Sequence, residues 1–280
     1  MTWRHGGAPP PGAHGAPQAP DRAGWPDWTL VAELSRSAST ETLLLAAPDG
    51  RLYVRKRYRF PTLARRLRPA LRHTGLPPAR VAAEARALRE FARRGLPAVR
   101  PVAWAVERDR LGLVRDSWLL TEAEDAPDLG ALLAGAGPPP LTEVAVARSI
   151  LSLHEAGVFH GGLAPRNLLV VRRDDERAPR CVWLDPAKVR FFQGPVPPPL
   201  RAAEAVRFAA ACGPDRVAFA AAVLDRIGAG LSRSERAAFT AARSRLEARP
   251  PRWLVRERAR AAATAGPASR APRPGPAAPR

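Results

Sequence analysis

Residues 158–171 read Val158-Phe159-His160-Gly161-Gly162-Leu163-Ala164-Pro165-Arg166-Asn167-Leu168-Leu169-Val170-Val171. Apolar runs flank a loop that carries Gly and Pro, the pattern of a short buried strand, a tight loop and a second strand. Inside the loop the order is His, two residues, Leu, three residues, Asn, with Gly162 between His160 and Leu163. Asn167 is the only asparagine in the 280-residue chain. A residue type that the composition otherwise avoids needs a local reason, and an amide offers both a donor and an acceptor.

The same argument applies to lysine. The chain carries 45 basic and 26 acidic residues, a formal charge of +19, yet its only lysines are Lys56 and Lys188. Arg, Ala and Pro are used heavily from end to end, so a general bias supplies much of the charge. A nucleic-acid partner is therefore not expected; it would require an affinity that falls steeply with salt. The 46% hydrophobic content is enough for a globular core. No apolar run approaches the ~18 residues of a membrane span, and the first residues lack the apolar middle of a secretory signal. Cys181 and Cys212 have no metal-ligand neighbour at C-x-x-C spacing, which leaves a reducing cytoplasm as the expected location.

Residues 1–24 and 261–280 are Gly, Pro, Ala and Arg in no periodic order and are expected to be disordered tails. From residue 25 the pattern predicts a three-strand meander at 28–34, 43–45 and 52–58, with a small polar loop over 35–42 and a turn at Pro48-Asp49-Gly50. Period-2 alternation puts Leu52, Val54, Lys56 and Tyr58 on one strand face. Lys56 there either snorkels to water or meets an anion. Residues 59–72 form a basic linker with Arg65, Arg66, Arg68 and Arg72, either a solvated helix or a surface for anionic lipid. The helix that follows Pro77-Pro78 carries Val81, Glu84, Leu88 and Phe91 on one stripe. Glu84 is the misfit on it: it reaches water at the stripe edge, or it pairs with Lys56. Further strands at 99–105 and 117–121 end at Glu122; a helix from Thr142 bears Val144, Ala147, Leu151 and His154 on one stripe. A strand at 181–184 ends at Asp185, and Ala-rich helices are expected near 201–211, 214–228 and 232–247.

Lys56 on a strand, Glu84 on a helix, Glu122 at a strand end, then His160, Asn167 and Asp185 follow the order that phosphoryl transfer uses in kinases. The loop itself has the spacing His-x-Asp-Leu-x-x-x-Asn of a protein-kinase catalytic loop, with Gly162 at the Asp position. Tyr53-Val54-Arg55-Lys56-Arg57-Tyr58, Ala83-Glu84-Ala85-Arg86-Ala87-Leu88, Gly95-Leu96-Pro97, Leu153-His154-Glu155-Ala156-Gly157-Val158-Phe159-His160 and Trp183-Leu184-Asp185 together resemble the bacterial lipopolysaccharide kinase family. That family includes the core heptose kinases and 3-deoxy-manno-octulosonic acid kinase, and the similarity runs over residues 28–190. The resemblance implies an α+β, two-lobed, protein-kinase-like fold: an N-lobe at 25–123 with an antiparallel sheet and one helix, and a mainly helical C-lobe at 124–260. It implies ATP with Mg2+ as cofactor and a glycolipid sugar at the inner membrane surface as acceptor. Carried over position by position, Lys56 binds phosphate, Glu84 orients it, Glu122 borders the nucleotide, and Asn167 and Asp185 hold metal. His160 and Gly162 stand in the catalytic loop.

The departures limit the chemistry. Glycine at 162 cannot take the acceptor's proton, and loss of a general base costs ~10²- to 10⁴-fold in rate. Pro186-Ala187 follows Asp185 where Phe-Gly is usual, and the phosphate-covering loop Ser35-Arg36-Ser37-Ala38-Ser39-Thr40 has no glycine. Ser37 and Ser39 are its small hydroxyl residues, able to approach a phosphate. Two functions follow: a specialised phosphotransferase, or a pseudokinase that binds nucleotide and regulates or scaffolds a protein partner.

Overall fold

A computed structural model describes residues 2–6, 27–62, 79–135, 137–172, 178–186 and 188–264. Strands β2 (Thr29–Arg36), β3 (Thr40–Ala46) and β4 (Leu52–Arg59) form the expected meander. Its first connection is only three residues long, because β2 and β3 both extend into the stretch read as loop. Helix α1 (Arg80–Arg93) and strands β5 (Pro101–Arg108) and β6 (Val114–Glu122) follow. Residues 2–6, read as part of a tail, form strand β1 (Thr2–Gly6), which pairs antiparallel with β5. The sheet order is β1-β5-β6-β4-β3-β2. The remainder of the first tail, the second tail beyond 264, and residues 63–78, which include most of the basic linker at 59–72, lie outside the described residues.

Alternation divides β4 between two environments. Tyr58 joins Val81, Ala85, Leu88 and Leu119 in the layer between sheet and α1. Tyr53 faces the other way, beside Trp118 and Leu120, with the Trp28 ring 4.9 Å from its own. On that second face Arg57 donates to both Asp116 oxygens and Arg55 pairs with Glu41 at 3.5 Å. Guanidinium pairs on one side leave the other side of the strand to Lys56.

The C-terminal part is mainly helical: α2 (Leu129–Ala134), α3 (Thr142–Glu155), α4 (Pro198–Cys212), α5 (Val217–Ala229), α6 (Arg233–Ala248) and α7 (Arg252–Thr264). The α3 stripe is rotated from the expected one: Val146, Ala147, Ile150, Leu153 and His154 are buried, while Val144 and Leu151 are half-buried. Helix α7 is an addition to the sequence-based expectation; its Arg-rich pattern hides an inner face of Leu254 and Ala261. Short strands β7 (Val158–Phe159), β8 (Leu168–Val171), β9 (Arg180–Trp183) and β10 (Arg190–Phe191) frame the loop of residues 160–167. β7 pairs with β10 and β8 with β9, so the loop is fixed at both ends. Phe91 and Leu96 from the sheet-bearing part enter the helical core beside Trp183, and Trp183 exchanges backbone hydrogen bonds with Pro97 and Val99. The result is the two-lobed α+β kinase-like fold that the sequence implies.

Cys181 and Cys212 lie in the helical core, and burial pushes both thiols up to about 12. An unfolded thiol titrates near ~8.5. The folded value is the higher one, so this contribution is complete below ~8.5 and declines as pH rises toward 12. The urea midpoint is expected to fall between pH 7.5 and 9.5, by roughly 1 kcal/mol per thiol in stability. The double variant Cys181→Ala, Cys212→Ala should lose that slope, and an unchanged slope would refute the assignment.

Candidate active site

Lys56 leaves β4 on the α1 side, and its Nζ lies 3.2 Å from Glu84 Oε1. Two charges placed on apolar faces thus resolve each other across the sheet and helix. Glu84 Oε2 also accepts from the Tyr58 hydroxyl at 3.4 Å. On its other side Lys56 Nζ is 2.9 Å from Asp185 Oδ1, and Arg80 Nη2 reaches the same oxygen at 3.5 Å. Asp185 holds a left-handed backbone, φ 49°, a conformation that Asp tolerates better than most residues yet still a local cost. Strained backbone of this kind collects where function fixes a side chain.

The electrostatics follow depth. Burial is the largest influence on Lys56 and pulls its pKa down, but Glu84, Tyr58 and Asp185 together outweigh it and hold the ammonium above its usual range. Burial also raises Glu84, with Lys56 opposing and Asp185 reinforcing the shift. Asp185 goes the other way: burial raises it, and Lys56 and Arg80 more than offset that. The deeper Glu84 carries the desolvation, while Asp185, which faces both Lys56 and Arg80, stays ionised. Tyr58 is pushed up to about 12, first by burial and then by Glu84, and remains a hydroxyl donor.

The loop beneath is held by backbone and by a residue that no motif announced. Leu184 N–H donates to Asn167 C=O at 2.9 Å, which brings the Asp185 strand end onto the loop. The Asn167 amide nitrogen donates to Gly162 C=O at 2.8 Å. Glu204 of α4, fully buried, accepts from Gly161 N–H at 2.6 Å and His160 N–H at 3.0 Å, with His154 Nε2 at 3.1 Å. Arg207, one turn further on, donates to Gly161 C=O and lies 4.5 Å over the Trp253 ring of α7. Gly161 has φ +70°, and a Cβ there would meet Lys188 C=O at 2.5 Å, so only glycine fits.

The sequence-selected residues divide on these contacts. Lys56, Glu84, Asn167 and Asp185 come together in and beside the cluster. His160, expected in the catalytic loop, has a fully buried ring, and its Nε2 faces Leu184 C=O at 3.1 Å. Burial holds its pKa below the ordinary value, so it is a neutral imidazole that supports the loop. Ser37 and Ser39 form a closed turn: Ser37 Oγ accepts from Thr40 N–H at 3.0 Å and Ser39 N–H at 3.4 Å, and Ser37 N–H goes to Thr40 C=O. Those bonds close the turn. Glu122 closes β6 with its N–H on Arg100 C=O, and its carboxylate pairs with Arg100 at 3.3 Å instead of joining the cluster. Gly162 is open: a Cβ there would meet only His160 Nδ1, at 3.7 Å, and that nitrogen has no hydrogen-bond partner among the described residues.

The donors present suit a hard divalent cation. Asp185 Oδ1 is buried and lacks an aligned hydrogen bond among the described residues, its cation contacts being ion pairs. Asn167 commits its amide nitrogen to Gly162, which leaves the carbonyl oxygen as the end a cation can use. Carboxylate and amide oxygens are the ligands that Mg2+ takes.

The family model described as lipopolysaccharide kinase (Kdo/WaaP) matches residues 27–191, more than half of the chain. The chain belongs to that family. Among curated lipopolysaccharide kinase relatives, the 3-deoxy-D-manno-octulosonic acid kinase of Haemophilus influenzae is 32% identical over 115 residues, covering 41% of this chain and 47% of the relative. The chain thus spans about half the length of the curated relatives it matches. Among solved structures, WaaP in complex with acyl carrier protein is similar at TM-score 0.46 and 21% identity, covering 85% of this chain and 90% of that one. The Rio2 kinase–ADP/Mg2+-phosphoaspartate complex from Chaetomium thermophilum is similar at TM-score 0.44 and 16% identity, covering 83% and 70%. Lys56, Asn167 and Asp185 all fall inside the matched lipopolysaccharide kinase segment, whereas Glu204 and Arg207 lie beyond it.

Proposed function

We propose that this chain is a lipopolysaccharide-kinase-like phosphotransferase that binds ATP with Mg2+ and passes phosphate to a sugar hydroxyl of a glycolipid. The observation that carries this is Lys56 set between Glu84 at 3.2 Å and Asp185 at 2.9 Å above a loop that presents Asn167. Lys56 binds the inner phosphates, and Glu84 and Tyr58 fix its head so that no reorientation is needed when nucleotide arrives. Asn167 and Asp185 hold the metal, which when bound supplies charge neutralisation at the phosphate oxygens. The acceptor oxygen bonds to the terminal phosphorus as the bond to the bridging oxygen of the departing ADP breaks. Gly162 offers no side chain for the hydroxyl proton, which passes to water instead, so turnover is slow.

The curated relatives act, by name, on 3-deoxy-D-manno-octulosonic acid, which makes acidic sugars of that class the first acceptors to test. An acceptor on a membrane glycolipid places the protein in the cytoplasm at the inner membrane face. Among the described residues, no helix is long and apolar enough to cross a membrane. Gly162 favours a second function: a nucleotide-binding pseudokinase that regulates or scaffolds a protein partner.

Both functions require nucleotide. Magnesium-ATP at ~100 times its Kd should raise the melting temperature by roughly 5–10 °C. Asp185→Ala should abolish the rise, and a folded parent that shows no shift would count against both.

A further inference from the structure

Arg80 is the one cation of the site that neither motif nor spacing selects. It opens α1, where the helix dipole disfavours a positive side chain, so its position calls for an anion nearby. Its guanidinium lies 4.8 Å over the Tyr58 ring and 3.5 Å from Asp185 Oδ1. The side chain is 49% exposed, against 20% for Lys56 and 4% for Glu84. Arg80 therefore stands at the mouth of the cluster and Lys56 inside it.

In the absence of ligand the cluster is balanced, with Lys56 and Arg80 against Glu84 and Asp185. A divalent cation on Asp185 competes with both of that carboxylate's ion pairs. Lys56 keeps Glu84, whereas Asp185 is the only salt-bridge partner of Arg80 among the described residues. The guanidinium, once freed from Asp185, keeps its place over the Tyr58 ring and then needs a new anion at the outer edge of the site. The Ser37–Ser39 turn uses the Ser37 hydroxyl and the N–H groups of Ser37, Ser39 and Thr40 within itself, which favours a side-chain cation for charge at an outer phosphate. A guanidinium can meet two phosphate oxygens at once.

We propose that Arg80 is a second phosphate-binding cation, released from Asp185 to take the terminal phosphate of ATP while Lys56 holds the inner ones. This rests on the nucleotide-binding function above. The test is calorimetric titration of magnesium-ATP and magnesium-ADP into the parent, Arg80→Met and Arg80→Lys. Methionine keeps an unbranched apolar side chain at the position and removes the charge. The expected result is a loss of about tenfold in ATP affinity for Arg80→Met, equivalent to about 1.4 kcal/mol, with ADP affinity unchanged and Arg80→Lys between parent and Met. Equal losses for ATP and ADP, or no loss for either, overturn the role of Arg80 while leaving the nucleotide site standing. A folded parent that binds neither nucleotide overturns both.

Discussion

Gly162→Asp is expected to raise ATP-dependent phosphate transfer by ~10²- to 10⁴-fold, the usual contribution of a positioned general base. The backbone at 162 is outside the left-handed region, and the added Cβ meets only His160 Nδ1 at ordinary contact distance, 3.7 Å. The loop should therefore accept the side chain with little change in stability, particularly because Asn167 bonds to the Gly162 carbonyl and not to anything the new carboxylate replaces. The gain depends on the rest of the site being competent, so the same variant must be assayed for nucleotide affinity. Unchanged turnover with nucleotide still bound contradicts the phosphotransferase and favours the regulator or scaffold. A carboxylate so close to an unpartnered imidazole nitrogen also gives that nitrogen a charged neighbour, which favours the imidazolium. The recovered activity should accordingly be followed across pH 6–8 and not at a single value.

Glu204→Ala is expected to be the most damaging single truncation in the support of the loop at residues 160–167, at roughly 3–5 kcal/mol of stability. It strips the acceptor from His160 N–H, Gly161 N–H and His154 Nε2 in a site with no solvent access, and each orphaned buried donor costs about 1–3 kcal/mol. Glu204→Gln retains one acceptor oxygen but sets an amide NH2 against donors, so it should fall between parent and Ala. Urea unfolding measures both. A loss below about 1 kcal/mol for Glu204→Ala would show that the loop is held by its strands alone.

Residues that violate their surroundings were the legible ones. Lys56 and Asn167 stood out because the chain uses almost no Lys and no other Asn, and Glu84 because it interrupts an apolar helical stripe. Their meeting follows from burial, since an apolar face holds a charge only if it finds a partner. Glu204 carries the same signal, a carboxylate beside buried Ala202, Ala205 and Phe208. It was hidden because an Ala-rich helix has weak contrast between its faces. Arg80 was hidden for the opposite reason: in an arginine-rich chain no single arginine is conspicuous, and its role depends on a contact with Asp185, far away in sequence. At Ser37–Ser39 composition alone does not separate a turn from a phosphate loop, because small hydroxyl residues close turns by the same hydrogen bonds that they offer to ligands. Strand β1 depends on pairing with β5, a long-range match that no local pattern encodes.

The most direct test of the nucleotide site is titration of magnesium-ATP into the parent protein and Asp185→Ala, each with and without magnesium. The geometry of Lys56, Glu84, Asn167 and Asp185 predicts saturable, magnesium-dependent binding in the parent that Asp185→Ala loses. Binding that is indifferent to both magnesium and Asp185, or no binding by the folded parent at millimolar nucleotide, would contradict it.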